Sequence, residues 1–271
     1  IVGASLLPYA HDYYVQTVNI FLMIFGSIGF PVLIELKRFL SRRKDKDAFR
    51  FSLYTKLTTI TFFGLIIVGT IGILALEQRH FLAGMNWHES FFYALFQSVT
   101  TRNAGLATMD VSLLTDATLL LMCVLMFIGA SPSSVGGGIR TTTFAIMFLF
   151  MLQYAKGNKR VKVFNREIHD DDIKKSLVVT LIALMVCGTG VFLLCISESF
   201  SITAIVFEVC SAFGTTGLSL GITADLTAFG KIVIITLMFI GRIGILSFIF
   251  MLGGNKEPDH YRYPTERVII G

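Results

Sequence analysis

The sequence predicts an all-α polytopic membrane protein, and three observations carry that class. Hydrophobic residues make up 54% of the 271 positions and charged residues only 15%, against roughly 25% charged in a soluble domain. Mean hydropathy is +0.72. Several apolar stretches approach or exceed the roughly 20 helical residues that cross a bilayer core of about 30 Å. With 25 Phe and five Pro at no fixed period, disordered and fibrous chains are excluded.

The spans fall in order at 15 to 35, 57 to 76, 113 to 152, 177 to 196 and 226 to 252. Two shorter stretches, 88 to 99 (HESFFYALFQSV) and 201 to 213 (SITAIVFEVCSAF), have too few residues to cross and read as re-entrant or interfacial helices. Gly/Thr-rich sequence follows both. As one straight helix, 113 to 152 would be about 60 Å long, twice the core. As two spans it fails, because its second piece is too short and would put a basic cluster outside. One crossing, broken in the middle, remains. The string GASPSSVGGG, Gly129 to Gly138, supplies the break through Pro132 and three consecutive glycines.

Basic residues set the orientation, because cytoplasmic loops collect Lys and Arg. Eight lie between 35 and 56, seven between 153 and 175, and three in the tail, which is 18 of the 23. The loops 77 to 87, 106 to 112 and 197 to 200 carry only Arg79 and belong outside. The net charge of +5 is therefore a topology label, and no nucleic-acid partner is expected. Cys123, Cys187, Cys195 and Cys210 sit singly in apolar runs without C-x-x-C spacing and read as helix-contact residues, not a zinc or redox site.

An internal repeat organises the chain. Gly105 and Gly217, Leu106 and Leu218, and Gly129 and Gly241 are each 112 residues apart. Each copy reads outward span, short helix, Gly/Thr loop, inward span: 57 to 152 is one copy and 177 to 252 the next, joined by a cytoplasmic loop at 153 to 176. GSIGF, Gly26 to Phe30, matches GRIGI, Gly241 to Ile245, so 1 to 56 reads as the second half of an earlier copy plus a cytoplasmic loop. Residues 253 to 271 read as a cytoplasmic tail. The copies are parallel, as in a tetrameric cation-channel subunit fused in tandem around a central pore. A ring takes four copies, so the first copy and half of the second are expected to be missing upstream of Ile1.

The loops carry the chemistry. After the first short helix comes TTRNAGL, and after the second FGTTGLS. Carbonyls of Asn103, Ala104, Gly105, Thr215, Thr216 and Gly217 are expected to bind a dehydrated monovalent cation on the axis. Gly105 and Gly217 permit the positive φ that such a carbonyl line needs. Close helix contact alone would explain a lone Gly; recurrence at equal offset favours the filter. Gly129, Ala130, Ser131, Pro132, Ser133, Ser134, Val135, Gly136, Gly137 and Gly138 are positioned as a gate, since irregular backbone at membrane depth survives only in protein or along a watery cavity. A functionless kink is the simpler reading of such a break. Arg242, a charge within the last span, needs partners, and through the carbonyls or hydroxyls of Ser131, Ser133 and Ser134 it is expected to hold the loop across the pore. Arg102, beside the filter, is expected to pair behind it with Glu89 or Glu208. Asp110, Asp116 and Asp225 fall near the outer mouth, and His80, Trp87 and His88 read as interfacial anchors. The string GGGIRTT lacks phosphate-loop spacing.

With NAGL, GTTGLS, SPSSVGGGIRTTT and GRIGILSF quoted, the chain resembles the Ktr/Trk/HKT superfamily of potassium transporters, and most of all the membrane subunit of a bacterial Ktr system. The resemblance implies four span-pore-span repeats with a gate loop in the third and an arginine in the fourth. It implies potassium uptake across a bacterial plasma membrane by a homodimer, with sodium coupled or stimulating. It also implies an RCK-type cytoplasmic octameric ring that binds ATP or ADP. Two rivals stand beside it. A polytopic membrane enzyme needs acids and histidines placed for catalysis, which the spans almost lack. A secondary transporter with a midplane site calls for inverted repeats.

Overall fold

The computed structural model describes residues 5 to 41, 50 to 158, 160 to 245 and 247. Its helices are α1 (Tyr13–Ser27), α2 (Phe30–Ser41), α3 (Leu53–Glu77), α4 (Trp87–Thr100), α5 (Asp116–Ile128), α6 (Thr141–Ala155), α7 (Asp170–Ser197), α8 (Ile202–Gly214) and α9 (Ala228–Ile243). A two-stranded hairpin, β1 (Lys162–Val163) and β2 (Arg166–Glu167), connects α6 to α7.

Two helices are long and apolar enough to cross by themselves, α3 with 25 residues and α7 with 28. They match the spans expected at 57 to 76 and 177 to 196. The span α7 starts earlier than expected because Asp170, Asp171 and Asp172 stabilise its positive N-terminal end. The stretch 15 to 35 is not the single helix expected. It is α1 and α2, bent by 102° at Ile28 and Gly29. Gly29 has φ +95, and a methyl group there would stand 2.6 Å from the Pro132 carbonyl oxygen. Only glycine fits that approach. The span 113 to 152 is broken as expected into α5 and α6, while α9 stops at Gly244 and the expected end at 252 lies outside the described residues.

The short helices α4 and α8 stand where the sequence places them, and they are the interior of the molecule. α8 is buried from Ala204 through Gly214 apart from Val206 and Cys210, and lies against α5, α7 and α9. The C-terminal half of α4 is buried against α3, with α1 beside it. Longer helices show apolar side chains outward, such as Ile67, Leu181 and Ile232, as lipid requires. Hydroxyls within them satisfy themselves: Thr70 Oγ1 donates to Ile66 O (2.8 Å) and Thr180 Oγ1 to Ser176 O (2.8 Å). Ser98 Oγ on α4 also donates to Ile66 O, at 2.9 Å, tying the short helix to the span.

The same clasp closes both halves. Glu77, fully buried at the end of α3, accepts from Thr115 N (2.9 Å), Thr115 Oγ1 (2.7 Å) and Thr118 Oγ1 (2.5 Å) at the start of α5. Glu198, at the end of α7, accepts from Thr227 N (3.1 Å) and Thr227 Oγ1 (2.5 Å) at the start of α9. Each carboxylate caps the amide end of the helix two elements on.

Candidate functional site: paired glycine loops over an intramembrane loop

The loop after α4 and the loop after α8 meet. A Cβ built on Gly105, at φ +63, would lie against the Thr216 carbonyl oxygen and 2.8 Å from the Gly217 carbonyl carbon. Gly217 has φ +94 and Thr215 φ +51. Side chains behind the loops hold them: Thr100 Oγ1 donates to Leu106 O (2.7 Å), Thr216 Oγ1 to Thr101 O (3.3 Å), and Gly217 N to Ser211 Oγ (3.2 Å). Asn103 and Ala104 are half-buried, Thr216 is buried, and Gly217 is exposed. All six residues expected at the filter thus fall in these two loops, and the two glycines are brought together.

Residues 129 to 138 lie against both loops. A Cβ on Gly136 would be 2.8 Å from Arg102 O, and one on Gly137 2.8 Å from Thr215 Oγ1. Gly137 N and Gly138 N donate to Gly214 O (3.1 Å) and Phe213 O (3.2 Å), two carbonyls at the C-terminal end of α8. The loop thereby satisfies two carbonyls that the end of the helix leaves without an intrahelical partner. The other edge is bonded to the α1–α2 bend, with Ser131 N donating to Ser27 O (3.0 Å), Val135 N to Gly26 O (3.1 Å) and Phe30 N to Ser133 O (3.0 Å). Tyr54 Oη donates to Pro132 O at 3.1 Å. Its ends close on themselves through Ala130 N to Gly137 O (3.3 Å) and Arg140 N to Ile128 O (3.0 Å).

The arginines depart from expectation. Arg102 is completely buried but pairs with no acid among the described residues; Nη1 donates to Gly129 O at 3.3 Å. Glu89 closes a capping box with Asn86, and Glu208 binds the Thr223 hydroxyl, so neither carboxylate is placed for it. Arg242 sits in the last turn of α9 and is exposed, and no hydrogen bond joins it to Ser131, Ser133 or Ser134 among the described residues. Ser131 Oγ accepts from Thr141 Oγ1 (3.1 Å), and Ser134 Oγ donates to Ser131 O (2.6 Å). The arginine that grips the loop is Arg140, at φ +80, whose Nη1 donates to Gly136 O and whose charge interacts with that of Arg242. A non-glycine residue at that φ is strained and held by its surroundings.

At the surface, Asp110 accepts from Ser112 Oγ (2.7 Å) and Ser112 N (3.0 Å), which hold its carboxyl below the usual range. Asp116 lies in the first turn of α5, and Asp225 is exposed. Trp87 and His88 start α4 with their rings edge to face. Cys195 is exposed rather than fitted between helices, whereas Cys123 and Cys210 face one another between α5 and α8.

Sequence reasoning missed Tyr54, Arg140 and the Glu77 and Glu198 clasps. One signal was available: Thr115 and Thr227 are 112 apart, the spacing of Gly105 and Gly217.

A largely helical fold with apolar outer faces and short buried helices, whose glycine loops stack on an irregular loop between α5 and α6, is that of a polytopic membrane protein. Residues 1–255 match the family described as TrkH, cation transport protein, and the chain belongs to that family, one of transporters and not of enzymes. It is 56% identical over its whole length to Ktr system potassium uptake protein D of Bacillus subtilis, covering 60% of that protein. It is 37% identical over 98% of its length to Ktr system potassium uptake protein B of the same organism, covering 59% of it. With potassium/sodium uptake protein NtpJ of Enterococcus hirae it shares 33% over its whole length and 60% of that protein. The chain thus spans about three fifths of the length of these relatives. Its fold matches the potassium transporter TrkH of Vibrio parahaemolyticus with a TM-score of 0.74 at 18% identity, over 92% of this chain and 54% of that one.

Proposed function

We propose that this chain contributes two of the four walls of a potassium-uptake pore. The observation that carries the reading is the contact of the Gly105 and Gly217 loops directly over the 129 to 138 loop. Carbonyls of Asn103, Ala104, Gly105, Thr215, Thr216 and Gly217 replace the hydration shell of K+, and Na+ is admitted or coupled because neither loop is the tight TVGYG type. The names of the relatives, potassium uptake and potassium/sodium uptake, support that cargo. Residues 57 to 152 and 177 to 252 serve as parallel span-pore-span repeats, and 1 to 56 as the latter half of another.

The segment from Gly129 to Gly138 is the gate. Arg140 clamps it at Gly136, and Arg242 acts on it through its repulsion of Arg140 rather than through the serines. Opening requires exchange of the bonds to Ser27, Gly26 and Phe30 on one side and to Phe213 and Gly214 on the other. The working protein is a homodimer in a bacterial plasma membrane, with its C-terminus cytoplasmic and the basic loops facing an RCK-type ring that binds ATP or ADP.

Rubidium uptake into proteoliposomes holding the full-length protein tests the reading. A carboxylate in the exposed loop, Gly217→Asp, should abolish discrimination among K+, Rb+ and Na+ and depress uptake. Uptake and selectivity equal to those of the unmodified protein would overturn the filter.

A further inference from the structure

Two cavities near the start of α3 share a wall. One, of about 430 Å³, has Arg50, Lys56 and Arg166 on its lining, contributed by the segment before α3, the first turns of α3 and the β1–β2 hairpin. The other, of about 530 Å³, is an apolar groove in the crook of the α1–α2 bend, with Phe25, Ile28, Leu36 and Ile60 among its lining residues. Phe51 and Lys56 belong to both.

Among the described residues the ion pair formed is Arg160 with Glu167 at 3.5 Å, leaving Arg50, Lys56 and Arg166 without a paired carboxylate. The hairpin turn is built to deliver one of them: Phe164 and Asn165 adopt φ +50 and +60, so the chain reverses in two residues and returns Arg166 to the rim. Lys56 Nζ lies 5.7 Å over the Phe164 ring, which holds the ammonium between the two cavities.

We propose that the joined cavities bind an anionic phospholipid, its phosphate among Arg50, Lys56 and Arg166 and one acyl chain in the crook of α1 and α2. A soluble anion matches only the first cavity, and an uncharged lipid only the second. An anionic amphiphile uses both, with charge meeting charge at the head and apolar surface at the tail. The site has a mechanical consequence. The acyl chain lies against Ile28, while the same bend holds the gate loop through Ser27 O, Gly26 O and Phe30 N. The inference requires the chain to sit in a bilayer and requires nothing of the ion path.

Native mass spectrometry of the purified full-length protein, titrated with phosphatidylglycerol or phosphatidylcholine of the same acyl chains, tests it without any flux readout. The unmodified protein should prefer phosphatidylglycerol by about tenfold. The triple variant Arg50→Gln, Lys56→Gln, Arg166→Gln should lose that preference while binding phosphatidylcholine as before. Arg166→Gln alone, at an exposed position of β2 whose strand pairing is made by the backbone, should lose part of it. Ile60→Trp, filling the groove, should weaken both lipids. The proposal is overturned if the unmodified protein has no preference, or if the preference survives the triple variant. It is also overturned if the Ile60→Trp protein binds both lipids unchanged, or if inorganic phosphate alone displaces phosphatidylglycerol.

Discussion

Replacing Gly105 by Ala adds one methyl group at the closest point between the two candidate filter loops. At φ +63 the new residue must adopt a left-handed conformation, which costs about 1–2 kcal/mol for a residue with a Cβ. The methyl would also stand 2.8 Å from the Gly217 carbonyl carbon, where ordinary contact begins at 3.4 Å, so the facing backbone must retreat by at least 0.6 Å. No flexible side chain absorbs that movement, because the nearest atoms all belong to the Thr216 and Gly217 backbone. If the strain falls on the ion-coordinating arrangement, its population drops roughly 5- to 30-fold. Initial rubidium uptake into proteoliposomes should fall by a similar factor, with a wider K+/Na+ tolerance. Gly84→Ala supplies the control: it sits at φ +84 with nothing within 4 Å of the built Cβ, so it bears the conformational cost away from the loops and should leave uptake unchanged. Uptake by a folded Gly105→Ala protein equal to that of Gly84→Ala would refute the reasoning.

Three further outcomes follow from the geometry. Glu77→Gln removes a buried charged acceptor of three short hydrogen bonds and should destabilise the detergent-solubilised protein by about 1–3 kcal/mol; thermal unfolding should show a larger loss than for Glu198→Gln, whose partner Thr227 is exposed. Arg140→Ala frees Gly136 O and should raise resting rubidium leak several-fold, on the order of one hydrogen bond to a charged group. Arg242→Ala relieves repulsion on Arg140 and should lower the leak, so leak unchanged in both variants would remove the arginines from the gate.

Much of the architecture was legible because a membrane enforces simple rules. Length separates α3 and α7, which are long and apolar enough to cross, from α4 and α8, which are too short, and Pro132 with Gly136 to Gly138 announces the break between α5 and α6. The bend at Gly29 was not legible, even with GSIGF quoted as a repeat, because a glycine in an apolar run reads as helix interior; the close approach that excludes any side chain there comes from Pro132 O, more than 100 positions along the chain. The arginines failed for the same reason. Charge within a span says that a partner is needed but not which, and Arg102 took a carbonyl of Gly129 where an acid was expected.

The sequence by itself determined that the chain is a set of membrane helices, where they are interrupted, and that Gly105 and Gly217 each follow a short apolar helix at one offset, since hydropathy, length and offset are properties of one dimension. Only the tertiary structure decided what the interruptions are for. It set the Gly105 loop against the Gly217 loop, gave the amides of Gly137 and Gly138 to the end of α8, and bonded Ser131 and Val135 to the α1–α2 bend. The physical reason is that unpaired backbone groups at membrane depth must find partners within the protein, and which partners they find depends on distances that no spacing along the chain encodes.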